Sequence, residues 1–371
     1  MSISRPFSFF ALGFLFLSLV PPMEARKHSK KAAPHNDKKS PAQIEAATRL
    51  QIFLDRSNFS PGKIDGHYNE FTWKALAFYR QSRGERPQLV PSGAKADTAP
   101  DVNGLDLTSI QPVFITYAVT PADLQNVAKM PASVKEQAKL KVLLYRDPAD
   151  AIAEKFHSDP HFLEQLNPGR TNSIKAGDQL LVPNVEPFEL GGVKDLKPGS
   201  EINARAANDI ADESDNTPEG QPAPSQSSSN NPAPPASTSM VRVDTKTNML
   251  GVFEGDTLVA AYPVTIGSAQ TASPIGDWKV RGVAKLPNFR YDEQMLKHGQ
   301  RSGNFSMLPP GPRNPVGVLW IALNKKGIGI HGTADPYSIG HSVSHGCIRL
   351  ANWDVVRLAG RLKFGTPVSI H

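Results

Sequence analysis

The chain has 371 residues, 39% of them hydrophobic and 20% charged, with a formal net charge of +6. One hydrophobic core rarely serves more than about 250 to 300 residues, so several modules are expected; beyond the N-terminus no apolar run nears the roughly 20 residues that span a bilayer. The charge excess is small for this length and is swollen by a lysine-rich stretch near the N-terminus, which argues against nucleic acid and suits an anionic envelope polymer.

Residues 1–25 read as a secretory signal peptide: Arg5 precedes the apolar stretch Phe7 to Val20, and Pro21, Pro22 and Ala25 follow. The competing reading is an uncleaved anchor, because Met23-Glu24-Ala25 is a poor cleavage site and basic residues from Arg26 to Lys31 lie on the side to be exported. Cleavage near Arg26 is expected, giving a protein of the periplasm or cell wall with no stable membrane anchor. Exported proteins usually carry paired cysteines, yet this chain has one, Cys347. It is a buried structural thiol, an intermolecular link or a reactive nucleophile.

Residues 42–85 predict a small helical module. Ile44, Ala47, Leu50, Gln51 and Leu54 repeat at helical spacing, Ser60 to Gly66 is a turn cluster, and Trp73, Leu76 and Ala77 resume the period. The string Leu50-Gln51, Asp65-Gly66 and Ala75-Leu76-Ala77-Phe78 resembles a peptidoglycan-binding helical domain, although any small helical hairpin also fits. Residues 116–187 predict an α+β unit with helices at Ala149 to Phe156 and Phe162 to Pro168 and a strand at Gly177 to Pro183. Their order resembles the second half of a LysM glycan-binding module. The usual Gly-Asp-Thr-Leu entry is absent, and Val142-Leu143-Leu144-Tyr145 stands instead. Residues 199–238, rich in Pro, Ser and acidic groups, are expected to be a disordered linker, too poor in apolar surface to offset the entropy of ordering. A fragment starting near Thr238 is accordingly expected to be stable alone.

From Met240 to His371 the chain reads as mostly β: a meander over Val241 to Val264, strands at Asp277 to Val283, Val318 to Leu323 and Ile328 to Ile330, a helix from about Asn352 to Leu362 capped by Asn352, and a last strand at Pro367 to Ile370. Leu286 to Pro312 reads as a long non-repeating loop whose Phe289, Tyr291 and Phe305 either cover the neighbouring site or form an inert surface. Trp320 and Trp353 read as core.

The chemistry concentrates in Gly329-Ile330-His331-Gly332-Thr333 and Ser344-His345-Gly346-Cys347-Ile348-Arg349-Leu350. A thiolate stabilised by a neighbouring imidazolium is a good nucleophile near neutral pH, so the lone thiol and these histidines suit acyl transfer. Gly346 permits a turn at which the amides of His345, Gly346 and Cys347 can face an oxyanion, worth about 3 kcal/mol. His345 is expected to orient the loop, and Ser344 either bonds to His331 or caps the turn. Arg349 either binds a substrate carboxylate or supports the loop.

These two signatures resemble those of the L,D-transpeptidase catalytic-domain family over about residues 240–371. Ser273-Pro274-Ile275-Gly276-Asp277-Trp278 and Asn314-Pro315-Val316-Gly317 add to the likeness. The resemblance implies a β-sandwich-like catalytic fold, Cys347 as nucleophile, His331 as proton acceptor and donor, and a site that includes Gly332, Thr333 and Arg349 toward substrate. It also implies peptidoglycan stem peptides and glycan as partners, with no cofactor. Cys347 would attack the L-centre carbonyl of the third stem residue, expel D-alanine and pass the acyl group to an amine, giving a 3-to-3 crosslink; with water the outcome is an L,D-carboxypeptidase. Two rivals differ in class. A zinc hydrolase using His331, His341, His345 and Cys347 lacks the usual ligand spacing, and no metal is expected. A purely wall-binding protein must treat Cys347 and His331 as incidental.

Overall fold

A computed structural model describes residues 39–86, 98–196, 239–267, 272–298, 300–340 and 346–371. The expected signal peptide, the linker 199–238 and the residues His341, Ser344 and His345 lie outside the described residues. Among those described, no helix is long and apolar enough to cross a membrane.

Helix α1 (Pro41–Arg56) starts at a capping box in which the Ser40 hydroxyl accepts from the Gln43 N–H and the Gln43 side chain accepts from the Ser40 N–H; Asn69 caps α2 (Glu70–Ser82). Gln51, fully buried, clamps the intervening turn: its amide donates to Asp65 at 2.8 Å, and its oxygen accepts from the Gly66 N–H at 3.0 Å. The turn lies against the large β-sheet, where the Ser60 N–H donates to the Ala261 carbonyl at 2.8 Å.

Strand β1 (Phe114–Ala118) pairs antiparallel with β2 (Gln179–Pro183), enclosing helices α3 (Pro121–Gln125), α4 (Val134–Gln137), α5 (Pro148–Lys155) and α6 (Pro160–Leu166). The strand that opens this unit is therefore β1. Val142 to Tyr145 instead runs against the loop before Leu319, where the Leu143 N–H donates to the Pro310 carbonyl at 2.8 Å.

The C-terminal part contributes β3 (Ser239–Asp244), β4 (Met249–Glu254), β5 (Thr257–Pro263), β6 (Gly276–Lys285), a small hairpin of β7 (Phe289–Tyr291) and β8 (Ser306–Leu308), then β9 (Leu319–Leu323), β10 (Gly329–His331), β11 (Ile348–Arg349) and β12 (Pro367–Ile370). Eight of these form one sheet in the order β11-β10-β9-β6-β12-β3-β4-β5. This refines the sandwich-like expectation. The long strand β6 pairs with β12 at one end and β9 at the other, and its bulge between Val280 and Gly282 lets the eight-stranded sheet curl. The helix Asn352–Ala359 covers the core built by Val241, Val252, Ile321, Ile330, Ile348 and Trp353. Its N-cap is Ala351, not Asn352, whose side chain is engaged elsewhere.

The segment expected as a plain loop before β9 holds the β7–β8 hairpin and a helix at Glu293–His298. Asp292 fixes its ends, accepting from the Ser302 N–H at 2.7 Å and from Arg290 at 2.8 Å. The three regions from Ser40 onward pack as one compact unit, and Met249, Leu258 and Ala261 of the sheet share a hydrophobic cluster with Leu50, Phe59, Ile152 and Phe162.

Candidate active site

Parallel pairing of β10 with β11 places Ile330 beside Ile348 and His331 beside Arg349. Both isoleucines are fully buried in the main core, and this fixes the register. Side chains alternate along a strand, so His331, Cys347 and Arg349 emerge together on the opposite face. Gly329 shares that face, and a Cβ there would lie 2.6 Å from the Trp320 indole. With glycine in place, Trp320 lies flat and stacks on the His331 ring, centroids 5.1 Å apart and planes 13° apart. Cys347 and Phe289 pack against the same small apolar cluster, formed by Ala284, Val316, Trp320 and Ala322. Of the three aromatic residues expected over the site, Phe289 is thus brought to it. Phe305 is exposed and lies 4.1 Å beneath the Arg290 guanidinium.

His331 Nδ1 lies 2.6 Å from the Gly332 carbonyl oxygen. A carbonyl only accepts, so the bond assigns the proton to Nδ1 and leaves the Nε2 lone pair bare, the tautomer a general base requires. The group that orients the imidazole is thus its own neighbour's carbonyl. Burial and the Arg349 charge push the imidazole down to about 3, against the Gly332 bond. Burial likewise pushes the Cys347 thiol up, opposed by the Gly329 N–H and by Arg349, and its Sγ–H points at the Gly327 carbonyl at 3.6 Å. Burial therefore disfavours the charged form of each side chain. The expected thiolate–imidazolium pair is disfavoured because both charged forms lose their hydration here. The Arg349 charge favours negative charge on sulfur.

Gly332 and Thr333, expected toward substrate, are buried and tied to the protein interior. The Gly332 N–H donates to Leu319, while the Thr333 N–H donates to Asn352 Oδ1 at 3.2 Å. Gly346 has φ 109°, a backbone conformation that strongly favours glycine, in accord with the expected turn. Arg349 is half-buried, and its backbone pairs with Thr265 in both directions at 2.9 Å.

Three residues important to this site were missed in the sequence. Asn352, fully buried, accepts from the Val318 and Thr333 N–H groups and donates to the Thr333 carbonyl at 3.1 Å. Gly317 and Gly332 approach its oxygen so closely that a Cβ on either would sit 2.2 Å away. Arg313 donates to the Ala334 carbonyl at 2.7 Å, and Glu154 accepts from Asn352 at 2.6 Å. Trp320 was expected as core; it is buried, and it also supports the imidazole. Among the described residues, no three His, Cys, Asp or Glu side chains converge to hold a metal ion.

A partly buried thiol, the chain's one cysteine, and an imidazole with a bare Nε2 lie on one face of the sheet. The model of the YkuD L,D-transpeptidase catalytic domain matches residues 238–370. Among curated proteins, the putative L,D-transpeptidase YkuD of Bacillus licheniformis is 37% identical over 121 residues, 33% of this chain and 58% of that protein. YkuD of Bacillus subtilis is 33% identical over 114 residues, 31% of this chain and 54% of that protein. The putative L,D-transpeptidase YqjB of Bacillus subtilis is 34% identical over 135 residues, 35% of this chain and 69% of that protein. The chain belongs to the YkuD family of L,D-transpeptidases. It spans little more than half the length of the two YkuD relatives.

Proposed function

We propose that this protein is an exported peptidoglycan L,D-transpeptidase. The observation that carries the proposal is the joint presentation of Cys347 and a base-tautomer His331 on one face of β10 and β11. Nε2 takes the thiol proton as sulfur bonds to the L-centre carbonyl carbon of the third stem residue. The backbone N–H groups of the Gly346 turn are placed by this reading around the oxyanion, and Arg349 offsets its charge. Collapse breaks the amide bond to D-alanine, whose amine leaves with the proton from Nε2. An acceptor amine then attacks the thioester by the reverse sequence, restoring the thiol and giving a 3-to-3 crosslink. With water as acceptor the same site is an L,D-carboxypeptidase. On this reading the α1–α2 hairpin and the β1–β2 unit hold peptidoglycan and glycan, and the protein works in the periplasm or cell wall.

The test is incubation of the purified full chain with tetrapeptide muropeptides, followed by mass analysis. Crosslinked dimers with free D-alanine are the expected products, and tripeptides alone would indicate hydrolysis. Release of D-alanine by Cys347→Ala would place the chemistry elsewhere.

A further inference from the structure

Helix α5 lies more than eighty residues before the matched catalytic domain, yet one of its faces ends at the catalytic loop. Asp150 and Glu154, one turn apart, point the same way. Arg313, in the loop before β9, meets both: Nε donates to Asp150 at 2.8 Å, and Nη2 lies 3.2 Å from Glu154 Oε2. Its remaining nitrogen donates to the Ala334 carbonyl at 2.7 Å, and its guanidinium lies over Tyr145, 5.0 Å from the ring centre. Glu154 Oε1 accepts from Asn352 Nδ2 at 2.6 Å. Helix α5 therefore reaches the segment after His331 by two routes, through Asn352 to Thr333 and through Arg313 to Ala334.

The Asn352 route decides orientation. A carboxamide has a donor end and an acceptor end, and here the oxygen must face the N–H groups of Val318 and Thr333. Glu154 Oε1 accepts while Oε2 faces the Arg313 guanidinium, so Glu154 selects the nitrogen end and disfavours the flipped amide. With Asn352 so fixed, the Thr333 amide is held at both N–H and C=O. The Gly332 carbonyl belongs to the same peptide unit as the Thr333 N–H, and it is the acceptor that sets the His331 tautomer.

We infer that Glu154 is a positioning residue for the acyl-transfer site: through Asn352 it fixes the Gly332–Thr333 peptide and thereby the ring orientation and proton position of His331. The N-terminal half then completes the site as well as delivering it to the wall. This inference rests on the reading of His331 as base and Cys347 as nucleophile. Burial agrees with it, since Glu154 is fully enclosed with Arg313 as its charge partner, and burying a carboxylate there costs more than a solvated position would.

The test uses the full chain and its sole cysteine. The rate of Cys347 alkylation by iodoacetamide is followed by mass from pH 6 to 10 for wild type, Glu154→Met, Glu154→Gln and His331→Ala, alongside kcat and KM for D-alanine release. Methionine keeps the volume and removes the acceptor; glutamine keeps an oxygen for Asn352. Glu154→Met is expected to move the alkylation profile toward that of His331→Ala and to lower kcat about ten- to a hundredfold with KM changed less than threefold. Glu154→Gln is expected to restore most of the wild-type profile. Should Glu154→Met fail to fold, Glu154→Asp keeps the charge toward Arg313 but withdraws the oxygen from Asn352, and the same comparison is made. A profile and kcat equal to wild type in a folded acceptor-deficient variant would overturn the inference, as would a His331→Ala profile equal to wild type. If wild type releases no D-alanine while alkylation still depends on Glu154, the stem-peptide reading fails and the positioning role stands.

Discussion

Two buried charge clusters join the N-terminal half to the sheet, and they end in different places. In one, Asp150 and Glu154 hold Arg313 and Asn352, and the chain of bonds stops at Thr333 and Ala334 beside His331. In the other, Asp55 binds Arg357 at 2.9 and 3.0 Å and His157 at 3.1 Å, while Ser60 donates to Asp354 at 2.9 Å. That cluster stops on the helix 352–359 and on Trp353, whose indole stacks on His157. Both are built from carboxyl groups, an arginine and polar neighbours, with Asp55, Glu154 and Asp354 fully buried and Arg357 more exposed than Arg313. What separates them is whether the last hydrogen bond falls on the backbone that carries the base, so the first should govern rate and the second stability alone.

The comparison is bounded by the base itself. His331→Ala should keep the fold and slow acylation by roughly two to four orders of magnitude, read as the rate of acyl-enzyme formation. Next in size is removal of the N-terminal half. The 239–371 fragment loses Glu154 and uncovers Met249, Leu258 and Ala261, so on a soluble donor its turnover should fall at least about tenfold below the full chain, with a tendency to associate. Equal turnover would show that the first cluster does nothing for the base. The fragment expected to be stable alone is thus expected to work less well than the full chain, because the segments on either side of 199–238 share a core.

Asp55→Asn sharpens the contrast from the other side. Removing one member of a buried ion pair costs about 3 to 5 kcal/mol, so denaturant midpoints should drop while turnover per folded molecule stays within twofold of wild type. Burial pushes the Asp55 carboxyl up, but Arg357 and His157 outweigh it and hold it well below the usual carboxylate range. Its stabilisation is present above that ordinary range and is lost as pH falls through the folded value.

The smallest effect is the pH dependence of the two carboxyls shifted the opposite way. Burial lifts Asp354 to about 8 and Glu154 to about 7, outweighing Arg357 and Ser60 for the first and Arg313 and Asn352 for the second. Each binds a proton more tightly folded than unfolded, so stability should decline as pH rises from about 4 to 8. Asp354→Asn should flatten the upper part of that decline, read from denaturant midpoints at pH 5, 7 and 8.5.

Much of this architecture was legible. The strand at Pro367–Ile370 and the hairpin of α1 and α2 followed from apolar spacing, and the two signatures that hold His331 and Cys347 do meet, in the pairing of β10 with β11. What was not legible depends on contacts far apart in the chain. Glu154 sits in an amphipathic helix where a charge ordinarily faces water, and its partner Asn352 is 198 residues away. Asn352 itself carries the local signature of a helix cap, but the tertiary demand of two N–H groups outweighed that role. That the charged forms of the thiol and imidazole are disfavoured was hidden because it follows from burial, which no motif records. Trp320 gave a faint signal, since an aromatic paired directly opposite His331 needs a glycine, Gly329, beside it to lie flat.

The central claim is that Cys347 is the atom acylated and that His331 delivers it. Intact-protein mass spectrometry of the full chain mixed rapidly with a tetrapeptide donor tests this directly. The account predicts a transient adduct equal to the donor less D-alanine, mapped to Cys347, absent from Cys347→Ala and slow to form in His331→Ala. An adduct on any other residue, or D-alanine release by Cys347→Ala at the wild-type rate, would contradict it.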